Sequence, residues 1–345
     1  MSRPTLHEVA AAAGVSIASA SRALSGGVAS PRTVAKVRAA ARELGYFPDA
    51  TARALRTGAP RRITFAVDDI GNPNYVAMLR AIEAALGHGG PSVSVTSTGS
   101  SDQSVDLVRY AATAADGIII SPIRVNDRLR RAIVNSPIPV VVIGSVGDDA
   151  PVDVVHVDSA KGIGSAVAHV TALGRRNLVF LNGPLDTNPG SSRERGFYRA
   201  VRTAGLDPDR CRQVLAADFT VAAARRAAED LFVGWRRRRP IDRPDAIIAA
   251  NDLIAIGAMN AATDAGLRIP EDVMFTGVDD TEIAAAYNPS LTSVSLEAAE
   301  RGRLAADLLL RRFEEPHRPP HHLSVEPRLI IRRSTTISTA EVMAS

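Results

Sequence analysis

From Ile63 onward, short apolar runs alternate with longer amphipathic stretches, and this alternation restricts the possible folds more than any other feature of the chain. The runs Ile63–Val67, Val93–Ser97, Gly117–Ile120 and Val140–Ile143 are too short for helices and rich in β-branched residues. Between them, Asn74–Leu86, Gln103–Ala112 and Val125–Val134 space their apolar residues as helices do. The series then restarts, with strands at Val154–Val157, Asn177–Leu181, Gln213–Ala216, Ala246–Ala250 and Val273–Val278. Helices at Ser159–Leu173, Ser192–Ala204, Val221–Val233 and Leu253–Ala265 separate them. The expectation is an α/β body of two similar lobes, each a parallel sheet with helices on both faces. Ligands of such sheets bind in the crevice at the carboxyl ends of the strands.

Residues 1–62 are written differently. In Thr5–Leu24, TLHEVAAAAGVSIASASRAL, the residues Leu6, Val9, Ala10 and Ala13 fall at helical spacing, Gly14 supplies a turn, and Ser16 can cap a second helix. That is helix-turn-helix grammar. The second helix carries Ser16, Ala18, Ser19, Ser21 and Arg22, small or polar side chains that can enter a major groove without steric conflict. Ser30 then caps a third helix, with Pro31 in its first turn, Val34, Val37, Ala41 and Leu44 apolar, and Gly45 ending it. Asp49 can cap a short helix Ala50–Arg56, marginal unless something packs on it, and Gly58 and Pro60 mark a linker. The expected divisions are residues 1–48, 49–62 and 63–345. An ordinary helical hairpin would show the same spacing, so charge decides. Through Arg62 there are ten basic residues against three acidic ones, and beyond it 31 against 34. A basic head on a mildly acidic body points to a polyanionic partner for the head alone.

Several function classes are disfavoured. The single cysteine, Cys211, rules out an internal disulfide framework and suits a reducing compartment. The start MSRPTLHEV has no apolar core of a signal peptide, and the longest apolar stretch, Ala246–Ala262, is broken by Asn251 and Asp252. A soluble, cytoplasmic chain without a membrane partner is expected. Gly162 and Gly164 open a helix after a strand, but Val167 occupies the third small position, so they read as helix-packing glycines rather than a dinucleotide loop. Asp279 and Asp280 are sequence neighbours, which rarely flank one scissile bond. His321 and His322 lie in a proline-flanked tail without metal-ligand spacing. No catalytic residue, metal or cofactor is expected.

The pieces TLHEVAAAAGVS, SRAL, LGYFPDATARAL, HVTALGRRNLVFLNGP, RERGF, AANDLIAIGAM, GLRIPEDV, TGVDDTEIA and LTSV run through nearly the whole chain. In their order and spacing the chain resembles the LacI/GalR family of bacterial transcription regulators. The resemblance implies a helix-turn-helix head, a hinge helix at Asp49–Arg56 and a body like that of periplasmic binding proteins. Ser16, Ser19 and Thr33 would then hold DNA phosphates, and Ile17, Ala18 and Arg22 would face base edges. Thr5, Ser21 and Ala52 join them as implied DNA contacts, and Leu55 as a wedge in the minor groove. The implied DNA partner is a pseudo-palindromic double-stranded operator bound by a homodimer.

The implied effector contacts are Tyr75, Ser121, Arg193, Phe219, Asn251 and Asp279. An arginine and a carboxylate together donate to and accept from the vicinal hydroxyls of a sugar, and Phe219 offers a stacking face; a purine is the alternative ligand. Many relatives carry a carboxylate where this chain has Gly144. In family fashion, Leu291–Val294 and the helix Leu296–Phe313 would return to the first lobe, and Leu323–Ile331 would supply closing strand material. The lobes would then comprise about 63–157 with 291–320, and about 158–290 with 321–336. After Thr336 only ISTAEVMAS remains, too short for leucine heptads, so a dimer is expected. The competing reading is a two-lobed solute receptor without a DNA role; an enzyme ranks third, since no nucleophile and base pair is visible.

Overall fold

The computed structural model describes residues 4–25, 29–44, 46, 61–99, 101–147, 149–239 and 242–336. The expected hinge helix with Ala52 and Leu55, and the tail from Ile337, lie outside the described residues.

Three helices form the head: α1 (Leu6–Ala13), α2 (Ile17–Ser25) and α3 (Pro31–Leu44). Thr5 and Glu8 close a capping box at the start of α1, each side chain satisfying the other's backbone N–H. Gly14 ends that helix at φ 64, a left-handed conformation that glycine adopts without a Cβ penalty. Ser16 and Ser30 cap α2 and α3 by accepting from the N–H groups of Ser19 and Thr33. Val9 and Val37 are packed among alanines from all three helices, so the head closes tightly on a core of little apolar area.

The first sheet takes β1 (Arg62–Val67), β2 (Ser92–Ser97), β3 (Gly117–Ser121), β4 (Val140–Ile143), β5 (Asp153–Val157) and β11 (His322–Val325). Its order is β11-β5-β4-β3-β1-β2, with every neighbouring pair parallel. On one face Phe65 and Ile63 pack against α4 (Pro73–Leu86) and α12 (Ala298–Glu314). On the other, Ile118 and Ile120 pack against α5 (Ser101–Ala114) and α6 (Asp127–Val134). Burial on both faces explains why these strands read as continuous apolar runs.

The second sheet holds β6 (Leu178–Asn182), β7 (Arg212–Leu215), β8 (Ala246–Ala249), β9 (Met274–Val278), β10 (Thr292–Ser295) and β12 (Arg328–Ile330). Its order is β12-β10-β9-β8-β6-β7, parallel except for β12 against β10. The helices α7 (Ser159–Ala172), α8 (Asn188–Thr203), α9 (Val221–Phe232) and α10 (Asp252–Asp264) flank it, and a short α11 (Glu282–Ala286) follows β9. Phe180, Phe197 and Phe275 are fully buried at its centre.

Two expected lobe assignments are corrected. Leu291–Val294 belongs to the second lobe, because β10 pairs in parallel with β9 and buries Leu291 and Val294 in the second core. Leu323–Ile331 is not one strand of the second lobe. Pro327, which has no N–H to donate, interrupts it; β11 joins β5 in the first sheet and β12 joins β10 in the second. The chain therefore passes between lobes after β5, after β10 and after β11. The last crossing is tied to the other two by the ion pairs Lys161–Glu326 at 2.5 Å and Arg328–Glu297 at 2.7 Å.

Gly162 sits where α7 lies on β10, and a Cβ there would stand 2.8 Å from Cγ1 of Val294. Its absence of a side chain is a packing requirement. Gly162→Ala is expected to lower unfolding stability by about 1–3 kcal/mol, the usual cost of overpacking, measured by denaturant titration. An unchanged midpoint would contradict the packing role.

Candidate functional site

The carboxyl ends of the strands in both sheets face one cleft. Tyr75, Arg193, Phe219, Asn251 and Asp279 line a cavity of about 230 Å³. Ser121 lines an adjoining cavity of about 550 Å³, and the two share Asn74, Tyr75, Ile123, Pro189 and Arg193. All six residues expected at the crevice thus line one or other part of it.

Arg193 and Asp279 are buried at its centre, with side chains only 9% and 5% exposed. The Nη1 of Arg193 donates to the carbonyl of Ala250 at 2.6 Å, which fixes the guanidinium beside the end of β8. Its Nη2 comes no nearer than 3.9 Å to Oδ1 of Asp279, so the pair is electrostatic rather than hydrogen-bonded. Among the described residues, the Nε of Arg193 and Oδ1 of Asp279 have no hydrogen-bond partner. A buried donor and acceptor left unsatisfied together are costly unless a ligand engages them. Asp279 also holds φ at 105, a strained conformation for a residue with a Cβ. Asp280 turns away to Arg332 at 2.6 Å, so the neighbouring carboxylates do not act as a facing pair.

Phe219 rests on Gly183, where a Cβ would stand 2.4 Å from its ring. Asn251 lines the cavity, but its side chain is committed: Oδ1 caps α10 by accepting from Ile254 N at 2.8 Å, and Nδ2 donates to Phe219 O at 3.3 Å. Tyr75 enters from the first lobe. Burial, with Asp68 and Asp279 nearby, holds its hydroxyl well above the usual tyrosine range, while a hydrogen bond from Ser121 opposes.

Four participants were missed in the sequence. Asp68 follows β1 and Asp218 follows β7, both at strand ends, where crevice residues belong. Asp252 lies behind Asp279 and accepts from Ser293 Oγ at 2.6 Å and from Thr281 N and Oγ1 at 2.8 Å each. Burial and the neighbouring charge of Asp279 nevertheless push its carboxyl up to about 7. Arg301 is buried against the larger cavity, and burial brings its guanidinium down to about 10. The available signal was its spacing: Arg301 falls on the stripe that Ala298, Ala305 and Leu308 bury on α12.

In the head, α2 turns Ala20 and Ala23 inward and leaves Ser16, Ile17, Ala18 and Arg22 exposed, with Ser19, Ser21 and Thr33 half-buried. Ile17 is 40% exposed, unusual for its size. Thr5 is exposed as well, but its side chain is engaged in the capping box.

Residues 5–49 match the family model described as bacterial regulatory proteins, lacI family, and residues 167–335 match a periplasmic binding protein-like domain. The HTH-type transcriptional regulator CelR of Thermobifida fusca is 30% identical over 344 residues, covering 96% of this chain and 98% of its own. A solved transcriptional regulator CelR–cellobiose complex superposes with a TM-score of 0.69 at 29% identity, covering 96% of this chain and 100% of that one. The lac repressor dimer bound to operator and the anti-inducer ONPF gives a TM-score of 0.70 at 25% identity, covering 97% and 100%.

The Asp252 carboxyl rises from an ordinary 3.8 to about 7 in the folded chain, so the folded state holds its proton more readily than the unfolded one. Its contribution to stability is present in acid and is lost as pH rises from about 4 through 7. Denaturation midpoints compared across that window should fall more steeply in the wild type than in Asp252→Asn, which keeps the shape without the charge. Parallel profiles would contradict the burial argument.

Proposed function

The chain belongs to the LacI family of bacterial regulatory proteins, and from that premise we propose that it is a sequence-specific DNA-binding transcriptional repressor controlled by a small sugar. One observation carries the reading: a head with an exposed helix-turn-helix face is joined to a two-lobed body whose cleft keeps a buried donor and a buried acceptor unsatisfied. A solute receptor without a DNA role has no use for the head. The cellobiose complex of CelR and the operator-bound lac repressor dimer support the same assignment by likeness.

In this reading a homodimer binds a pseudo-palindromic operator. Ser16 and Ser19, at the amino end of α2, meet phosphates with Thr33, while Ile17 and Ala18 make apolar contact with base edges. Arg22 forks onto a guanine. The sugar lies between the lobes, its hydroxyls shared by Arg193 and Asp279, its C–H face on Phe219, with Tyr75 and Ser121 completing the polar wall. Asn251 acts by holding Phe219 and the start of α10 in place. A ligand that binds one arrangement of the lobes better than the other shifts operator affinity by that difference.

Arg22→Ala should weaken operator binding by roughly 1–3 kcal/mol and relax base preference. Equal loss on operator and random DNA would make it a phosphate contact instead. Asp279→Asn should lower sugar affinity by roughly 1.5–3 kcal/mol, the worth of a charge-assisted hydrogen bond, while operator binding without ligand stays near normal. Calorimetric titration of both proteins with a sugar panel and a purine panel, paired with ligand-dependent electrophoretic shifts, tests this. Purine binding without sugar binding would overturn the sugar assignment, and unchanged affinity in Asp279→Asn would overturn the site.

A further inference from the structure

The cleft is unevenly charged. Asp68, Asp69, Asp218 and Asp279 stand along the 230 Å³ part. Among the described residues, no aspartate or glutamate lines the 550 Å³ part, which carries Arg193, Arg195 and Arg301. As whole residues Arg193 and Arg301 are 7% and 6% exposed, and among the described residues each retains a guanidinium nitrogen without a hydrogen-bond partner, Nε in the first and Nη2 in the second. Their other bonds go to the main-chain carbonyls of Ala250 and Leu296, which satisfy donors without cancelling charge.

Little near them makes up the deficit. Asp279 acts on both guanidiniums at once, and Asp252 behind it is easily protonated near neutrality. Glu297, at the start of α12, is held by Arg328 at 2.7 Å. Two buried guanidiniums share one buried carboxylate, which burial pushes above the usual carboxylate range against their opposing pull, so the larger compartment is left positive. The amino end of α8 adds to this, since Asn188, Ser191 and Ser192 of its first turn line the same space, where the helix dipole is positive.

We propose that the ligand is an anionic sugar, one bearing a phosphate ester or a carboxylate, whose acid group occupies the larger compartment against Arg193 and Arg301. The proposal rests on the sugar reading above and narrows it. The sugar ring lies toward Phe219 and Asp279, and the acid group receives the two unpartnered N–H donors and the hydroxyls of Ser191 and Ser192.

The test is calorimetric titration of the full chain, at low and moderate salt, with two sets of probes: glucose, glucose 6-phosphate and gluconate, and ribose, ribose 5-phosphate and ribonate. At least one anionic probe should bind roughly ten-fold or more tightly than its neutral parent, with the ratio shrinking as salt rises. Whether the phosphate or the carboxylate wins identifies the acid group. Arg301→Gln should narrow the ratio, and Arg195→Gln, at an exposed position that does not carry the core, should narrow it less. If no anionic probe binds more tightly than its neutral parent while neutral sugars bind, the proposal falls and the sugar reading stands. If the preference survives both substitutions and added salt, the assignment to this compartment is wrong. Purine binding in place of any sugar would overturn the sugar reading and this proposal together.

Discussion

The buried approach of Arg193 to Asp279 organises the body. Each group is held by the strand ends around it: Arg193 by the carbonyl that follows β8, Asp279 by its own N–H donated to Val294 O at 2.8 Å across from β10. Behind them Asp252, Thr281 and Ser293 form a closed set of hydrogen bonds that fixes the turn where Asp279 and Asp280 adopt positive φ. A turn strained in this way persists only when its surroundings over-determine it. The second lobe therefore presents a rigid donor and acceptor at 3.9 Å, too far apart to satisfy each other and close enough to bridge neighbouring hydroxyls.

That arrangement matters beyond its own lobe because the first lobe completes the cleft. Tyr75 stands at the beginning of α4, and α12 brings Arg301 to the same space after the second crossing between lobes. Direct contacts clasp the lobes further: Asn188 N donates to Ile123 O at 2.7 Å, and Arg124 pairs with Asp186 at 2.8 Å. Exposed ion pairs of this kind contribute little stability, so they can open and re-form as the lobes shift. A ligand touching both walls acts on that equilibrium through its difference in affinity for the two arrangements.

The strands and helices of the body were legible in the sequence because burial on both faces leaves unbroken apolar runs, as in Ile63–Val67 and Ala246–Ala249. Arg193, Phe219 and Asp279 were legible through family resemblance, and Asp279 also through its place just after β9. The membership of β10 and β11 was not, since a four-residue strand carries no local record of which sheet it joins. β10 is placed by its hydroxyls, with Ser293 reaching Asp252 and Thr292 reaching the carbonyl of Arg332. Asn251 was read as an effector contact, when its position before an apolar helix marked it equally as a cap. Arg301 escaped notice because a charge on an apolar stripe reads as an interruption until the cavity beside it is seen.

In the proposed function, the coupling between cleft and head is a reciprocal free energy, so the affinity of the full chain for its ligand must change when operator DNA is bound. The direct measurement is a calorimetric titration of the most tightly bound sugar of the panel, with and without saturating operator. The affinity should change by the same factor by which that sugar changes operator affinity. Equal sugar affinity in the presence and absence of operator would contradict the link between the two sites.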